Sequence, residues 1–234
     1  MSASAHCWTS RLNAARRRRY ADGMDFSLPF KDRQQAAELL AERLLPYRGK
    51  NPLILAIPRG AVPMGRVIAD QLEGELDVVL VRKIPSAIDP ELAVGAVDEH
   101  GNRELAPYFN RTYTSMEWVE VQTKEQMALM RRRRASYGAA RPAADPRGRI
   151  VIIVDDGLAT GSTMAAALRS VRKMGPQKLV CAVPVAAEDS LAAVSVLADE
   201  MVCLATPMNF MSVSRHYKAF PQVEEDEVLK LLTA

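Results

Sequence analysis

Short uninterrupted apolar runs alternate along the chain with segments in which apolar residues recur every three or four positions. The runs are Leu53 to Ile57, Asp77 to Val81, Ile150 to Val154, Leu179 to Val183 and Met201 to Leu204. Runs this short, without polar alternation, are expected of strands buried on both faces of a parallel sheet. The helical period predicts helices over Asp32 to Leu45, Val62 to Leu72, Ser115 to Tyr137, Thr163 to Met174 and Asp189 to Leu197. In the first of these, Ala36, Leu39, Leu40, Arg43 and Leu44 share a face and Asp32 is placed to cap it; the fourth is closed by Gly175 and Pro176. Leu92 to Val97 reads as a returning strand with a hairpin turn at Glu99 to Asn102, Arg141 to Gly148 as a Pro-containing link, and the region after Leu204 as an irregular tail. Met127, Met130, Met164 and Met174 read as core packing on helices. Strand and helix alternation of this kind predicts an α/β fold: a twisted, mainly parallel sheet covered by helices, with ligands bound at the carboxyl ends of the strands.

A chain of 234 residues is long enough for one well-cored α/β unit with an appended subdomain. No apolar run approaches the roughly 18 residues of a membrane span, so no membrane partner is expected. The formal net charge is +3, but residues 1–24 carry five Arg and one Asp, leaving −1 for the remainder. A slightly acidic body speaks against nucleic acid as a partner. Cys7, Cys181 and Cys203 are widely spaced, with no C-x-x-C pair, and indicate neither a disulfide framework nor a zinc site; a reducing cytoplasm is the simplest compartment. Residues 1–23, Arg-rich and without an apolar core of secretory length, are expected to be a disordered basic extension, with a transit peptide or an RNA-touching arm as alternatives. The folded domain is expected over residues 24–234.

The chemistry concentrates in Ile150-Val-Ile-Ile-Val-Asp155-Asp156-Gly157-Leu158-Ala159-Thr160-Gly161-Ser162-Thr163. A buried strand delivers two adjacent carboxylates to the sheet edge. A loop rich in Gly and hydroxyls then opens a helix, whose free N–H groups and positive dipole end suit a phosphate. A Walker A loop, GxxxxGK followed by Ser or Thr, is excluded by spacing and by the missing Lys, and the dinucleotide fingerprint G-x-G-x-x-G is also absent. The bland alternative is that Asp155 and Asp156 merely cap the helix.

Strand, acid pair, variable loop and T-G-x-T together resemble the 5-phosphoribosyl-1-pyrophosphate (PRPP) motif of type I phosphoribosyltransferases. The resemblance extends to Ile57-Pro58-Arg59-Gly60-Ala61-Val62-Pro63, placed where these enzymes carry a pyrophosphate loop. Val81-Arg82-Lys83-Ile84, Asp89 to Val97, Cys203 to Phe210 and Tyr217 to Gln222 are similar to a bacterial family of phosphoribosyltransferase-domain proteins. It covers nearly all of residues 26–234 and implies a type I phosphoribosyltransferase-like fold with a small hood or appended helical and hairpin region.

The resemblance also implies roles. Asp155 and Asp156 would hold the ribose 2′- and 3′-hydroxyls directly or through Mg²⁺ and its waters. Ala159, Thr160, Gly161, Ser162 and Thr163 would wrap the 5′-phosphate, Gly157 and Leu158 would also bind PRPP, and Arg59 and the Gly60 amide would face the pyrophosphate. Arg82 or Lys83 would add positive charge, the alternative for that pair being a solvated strand end. The implied activity is transfer of phosphoribosyl from PRPP to a small nitrogenous acceptor, a nucleobase among the candidates, with Mg²⁺ as cofactor. A homodimer stays open, and the alternative activity is a regulator that senses PRPP or a nucleotide without turnover. Hypoxanthine-guanine enzymes of the family carry Asp where this chain has Ala159, whereas adenine enzymes carry a small residue there. His100 and His216 read as surface turn residues, and Arg131 to Arg134 as a solvated helix face balanced by Glu117, Glu120 and Glu125.

Overall fold

The structure, a computed structural model, describes residues 27–137 and 143–233. The basic extension expected over residues 1–23 and part of the 141–148 link lie outside the described residues. The elements in chain order are α1 (Arg33–Leu44), β1 (Leu53–Ala56), α2 (Val62–Leu72), β2 (Glu75–Val78), β3 (Val81–Pro85), β4 (Ala93–Asp98), β5 (Arg103–Leu105), α3 (Met116–Tyr137), β6 (Ile150–Val154), α4 (Ser162–Lys173), β7 (Lys178–Val185), α5 (Glu188–Ser195), β8 (Glu200–Ala205) and α6 (Glu225–Thr233). Asp32 caps α1 by accepting from the Gln35 amide at 2.9 Å.

The main sheet has five parallel strands in the order β2-β1-β6-β7-β8. Its strands read as continuous apolar runs because both faces are covered. On β6, Ile152 and Val154 face a core shared with Leu40 of α1 and Ile68 of α2, while Val151 and Ile153 face a core shared with Leu168 of α4 and Leu191 of α5. Asp155 and Asp156 therefore leave the sheet between two helical layers, at its carboxyl edge. β3, β4 and β5 form a separate antiparallel sheet, with α3 packed on β3, as the expected hairpin region.

Several local expectations change. The run Asp77 to Val81 is not one strand: β2 ends at Val78, and the Val79 amide makes the last bond, to the Ala56 carbonyl at 3.1 Å. Beyond Ala56 the neighbouring strand turns away at Ile57 and Pro58, so Val79 and Leu80 have no ladder to continue. Arg82 and Lys83 consequently lie inside β3 rather than at the end of the preceding strand. The tail carries α6, whose first turn holds Glu225, Asp226 and Glu227 as the helix dipole favours, and which packs on α2 and α3 through Val228.

His216 is buried, not at the surface: its ring stacks on Phe210 at 5.2 Å, and burial lowers its pKa. Arg131 and Arg132 are exposed as expected, but Arg134 points inward. Its guanidinium bonds Asp77 at 2.7 Å, both carboxylate oxygens of Glu99, and the Val78 carbonyl at 2.8 Å. It thus ties α3 to the end of β2, a long-range role that a run of four arginines conceals.

Candidate active site at the carboxyl edge of the parallel sheet

The loop after β6 is held from behind. Leu158 is fully buried; its amide donates to the Val185 carbonyl at 2.9 Å, and its own carbonyl accepts from the Ala187 amide at 3.0 Å. Leu158 is therefore the anchor of the loop, with both backbone groups committed to neighbouring elements. The Ala159 carbonyl accepts from Ser190 Oγ at 2.6 Å. Between these tethers and α4, Thr160 and Ser162 are exposed, with their hydroxyls 2.9 Å apart. Gly161 takes φ 70° at the helix entry, a conformation that costs an L side chain, and a Cβ there would come within 2.8 Å of Val194 Cγ2. The loop thereby presents hydroxyls beside the first turn of α4, where the Ser162 amide donates to Thr160 Oγ1 at 3.4 Å and the amides that follow have no carbonyl of an earlier turn to bond.

The acid pair sits at the mouth of this loop. The Asp155 amide donates to the Ala182 carbonyl at 3.3 Å, and Asp155 Oδ1 accepts from the Asp156 amide at 2.9 Å. Burial pushes the Asp155 carboxyl well above the usual carboxylate range, and the charge of Asp156 pushes the same way. Asp156 is also raised by burial, with Arg33 pulling it back. Two carboxylates with little solvent and one opposing cation make a site that gains when a cation or hydroxyl donors arrive.

The turn after β1 closes one side. The Ile57 amide donates to the Val154 carbonyl at 3.0 Å, which joins the two strand ends, and the Pro58–Arg59 peptide is cis. At Gly60 a Cβ would overlap Asp156 Oδ2, so the backbone reaches the carboxylate only because the residue is glycine. Arg59 lies 3.5 Å from Glu224, whose side chain is largely exposed. The structure thus brings Arg59, Gly60, Asp155, Asp156 and the 157–163 loop to one edge.

Arg82 and Lys83 part company, because successive strand residues face opposite ways. Arg82 donates to Gln126 Oε1 at 2.6 Å and, with Pro58, Arg133 and Thr163, lines a cavity of about 180 Å³ beside the β1 turn. Lys83 lines a different groove, along α4.

Sequence reading missed Arg33. From the first turn of α1, its Nε and Nη2 donate to Asp156 Oδ2 at 3.1 and 2.9 Å, its Nη1 donates to the Pro221 carbonyl at 2.6 Å, and its guanidinium lies 3.7 Å from the Phe220 ring centroid. Tyr217 Oη donates to the Asp156 carbonyl at 2.7 Å, so the segment from Tyr217 to Pro221 closes over the acid pair. Arg133, assigned to a solvated face, also turns toward the site. Tyr217 lies in a segment that carries the resemblance, but nothing local marks its role, and Arg33 lies outside any motif; a partner 123 positions away shows only in three dimensions.

Among the described residues no group of three or more His, Cys, Asp or Glu could hold a metal. A cation at Asp155 and Asp156 would therefore be shared with a ligand's oxygens. Hard carboxylate oxygens with a polyoxygen ligand are a donor set suited to Mg²⁺. No helix among the described residues is long and apolar enough to cross a membrane.

Residues 31–219 match the phosphoribosyl transferase domain model. Proteins of two Mycobacterium tuberculosis strains, CDC 1551 and H37Rv, provisionally named phosphoribosyl transferases, are 40% identical over 204 residues, covering 87% of this chain and 46% of theirs. The chain thus spans about half the length of these relatives. The crystal structure of TT1426 from Thermus thermophilus superposes with a TM-score of 0.78 at 41% identity, over 88% of this chain and 98% of that one. The architecture is the type I phosphoribosyltransferase fold, and the chain belongs to the phosphoribosyl transferase domain family.

Proposed function

We propose that the chain is an enzyme that binds PRPP with Mg²⁺ and transfers the phosphoribosyl group to a nitrogenous acceptor, a nucleobase being the leading candidate, with release of pyrophosphate. The observation that carries this reading is the acid pair, buried against Gly60 and opening onto the hydroxyl-bearing loop at the start of α4. In this reading the amides and hydroxyls of Ala159 to Thr163 take the 5′-phosphate, and Asp155 and Asp156 accept from the ribose hydroxyls. Arg59 faces the leaving pyrophosphate, and Arg82 and Arg133 hold positive charge around the adjoining cavity.

The acceptor nitrogen forms a bond to ribose C1 as the bond from C1 to the pyrophosphate oxygen breaks. The electron pair leaves with pyrophosphate, and the proton on the acceptor nitrogen passes to solvent or to the leaving group. Positive charge developing on the ribose is stabilised by the two carboxylates, and negative charge on the leaving group by the arginines, so the protein acts through position and electrostatics. Asp155 and Asp156 would hold Mg²⁺, which when bound would supply further charge stabilisation. Both Arg33 bonds go to Oδ2 of Asp156, which leaves Oδ1 for these partners.

That same pairing favours one second reading. Arg33 already neutralises Asp156 in the resting protein, as would suit a sensor that exchanges one partner for another without turnover. A pyrophosphate-release assay with PRPP, Mg²⁺ and a panel of purines, pyrimidines and simple amines decides between them. Release with any acceptor supports the enzyme; PRPP binding without release across the panel supports the sensor; no PRPP binding at millimolar concentration defeats both.

A further inference from the structure

A second cavity of about 270 Å³ lies between α4 and the antiparallel sheet, close to the lower end of small-molecule sites in size. Along α4 its wall is the stripe Ser162, Ala166, Arg169 and Lys173, which at 1.5 Å per residue extends about 16 Å. That is long enough for a base, a sugar and a phosphate tail laid end to end. The floor is apolar, made by Val81, Ala96 and Ala166. Tyr108 stands on the opposite wall, half-exposed and fixed by its hydroxyl's bond to the Ala93 carbonyl at 2.8 Å, so its ring offers a stacking surface.

The rim is cationic. Lys83, Arg103, Arg169 and Lys173 all line the cavity and are exposed. Arg169 uses Nε on Glu104 at 3.2 Å, leaving its terminal nitrogens, and Lys83, Arg103 and Lys173 make no ion pair with any described residue. The other acid in the wall, Asp98, is buried and spent: it accepts from the amides of His100 and Asn102, from Asn102 Nδ2 and from Ser170 Oγ. Three uncommitted cations and a partly committed fourth around an apolar floor with an aromatic wall match a ligand that is flat and apolar at one end and multiply anionic at the other.

The groove is separate from the acid pair. Arg82 and Thr163 turn to the cavity beside Pro58, whereas their neighbours Lys83 and Ser162 turn to the groove. Arg59, Gly60, Asp155 and Asp156 do not line the groove, which meets the 157–163 loop at Ser162. We propose that this groove is an accessory site for a nucleotide-class anion, distinct from the acid-pair site. The inference stands whether or not the acid pair binds PRPP.

The test is calorimetric titration of ATP, without PRPP, into wild type, Arg169→Ala/Lys173→Ala and Asp155→Asn, each first shown to fold by its melting curve. ATP should bind wild type and Asp155→Asn alike and bind the double variant at least tenfold more weakly. If the double variant does not fold, Ala166→Leu, which fills the floor without changing charge, should give the same weakening. No ATP binding to wild type at millimolar concentration overturns the proposal. So does equal affinity in the groove variant, or binding abolished by Asp155→Asn alone, which would place ATP at the acid pair.

Discussion

Arg33 and Asp156 form a two-pronged ion pair, with Nε and Nη2 of the guanidinium both donating to the single oxygen Oδ2, at 3.1 and 2.9 Å. Their side chains are only 11% and 17% exposed, so water does little for either charge. The pair joins the first helix to the end of the central strand and holds the candidate site closed from the N-terminal side.

Breaking the pair from the cationic side leaves a carboxylate with burial and no compensation. Arg33→Ala is expected to cost on the order of 3 kcal/mol at neutral pH. With its partner gone, the pKa of Asp156 rises further, and protonation at lower pH relieves the penalty. The gap in melting temperature between wild type and variant should narrow from pH 8 to pH 5. A gap that stays constant over that range would mean the loss is one of packing on Phe220 rather than of charge.

Asp155 behaves in the opposite way, because burial and the charge of Asp156 outweigh the Asp156 amide and Arg33, which favour its ionised form. Its folded-state pKa is raised, so the stability contributed by the protonated form is present below the unfolded value and is lost as pH rises through the folded value. Asp155→Asn removes that loss. Melting of the ligand-free variant should match or exceed wild type, with an advantage that grows from pH 5 to pH 8, while PRPP·Mg²⁺ affinity falls at least tenfold. A variant that binds PRPP·Mg²⁺ as well as wild type would return the acid to a capping role, since Asn caps about as well as Asp.

Gly60→Ala tests the close approach at the β1 turn. The added Cβ overlaps Asp156 Oδ2, so either the turn or the carboxylate must shift. The expected cost is about 1 to 3 kcal/mol in stability, together with more than tenfold in PRPP binding. Isothermal titration beside a denaturant melt separates the two effects. Unchanged binding would show that the turn after β1 is not part of the ligand site.

The four consecutive arginines of α3 should separate sharply. Arg134→Ala removes the cation shared by Asp77 and Glu99 and the donor to the Val78 carbonyl, and should cost on the order of 3 kcal/mol. Arg131→Ala and Arg132→Ala, both at exposed positions, should stay within about 0.5 kcal/mol of wild type. Chemical denaturation of the three variants is sufficient, and equal effects at all three would contradict the inward clamp.

Much of the architecture was written in the chain. Val62 to Leu72 and Ile150 to Val154 are found with the limits their patterns predict, because an amphipathic period and a doubly buried run each admit one local structure. The acid pair, the turn at Arg59 and Gly60, and the loop at Thr160 to Thr163 were equally legible, since their chemistry is carried by neighbours in sequence. Asp77 to Val81 was misread because where a strand stops depends on where its partner ends, and that partner lies upstream, across a helix. The C-terminal helix was overlooked although Glu225, Asp226 and Glu227 before Val228 and Leu229 do signal a helix start.

What the tertiary structure alone decided are the pairings made across long separations. Arg33 meets Asp156, Arg134 meets Asp77 and Glu99, and Arg82 and Lys83 turn to different cavities. The physical reason is the reach of each interaction. Backbone preference and hydrophobic period act over one turn or one strand and leave their mark in local sequence. A charge finds its partner through space, and no spacing along the chain records which one it will meet.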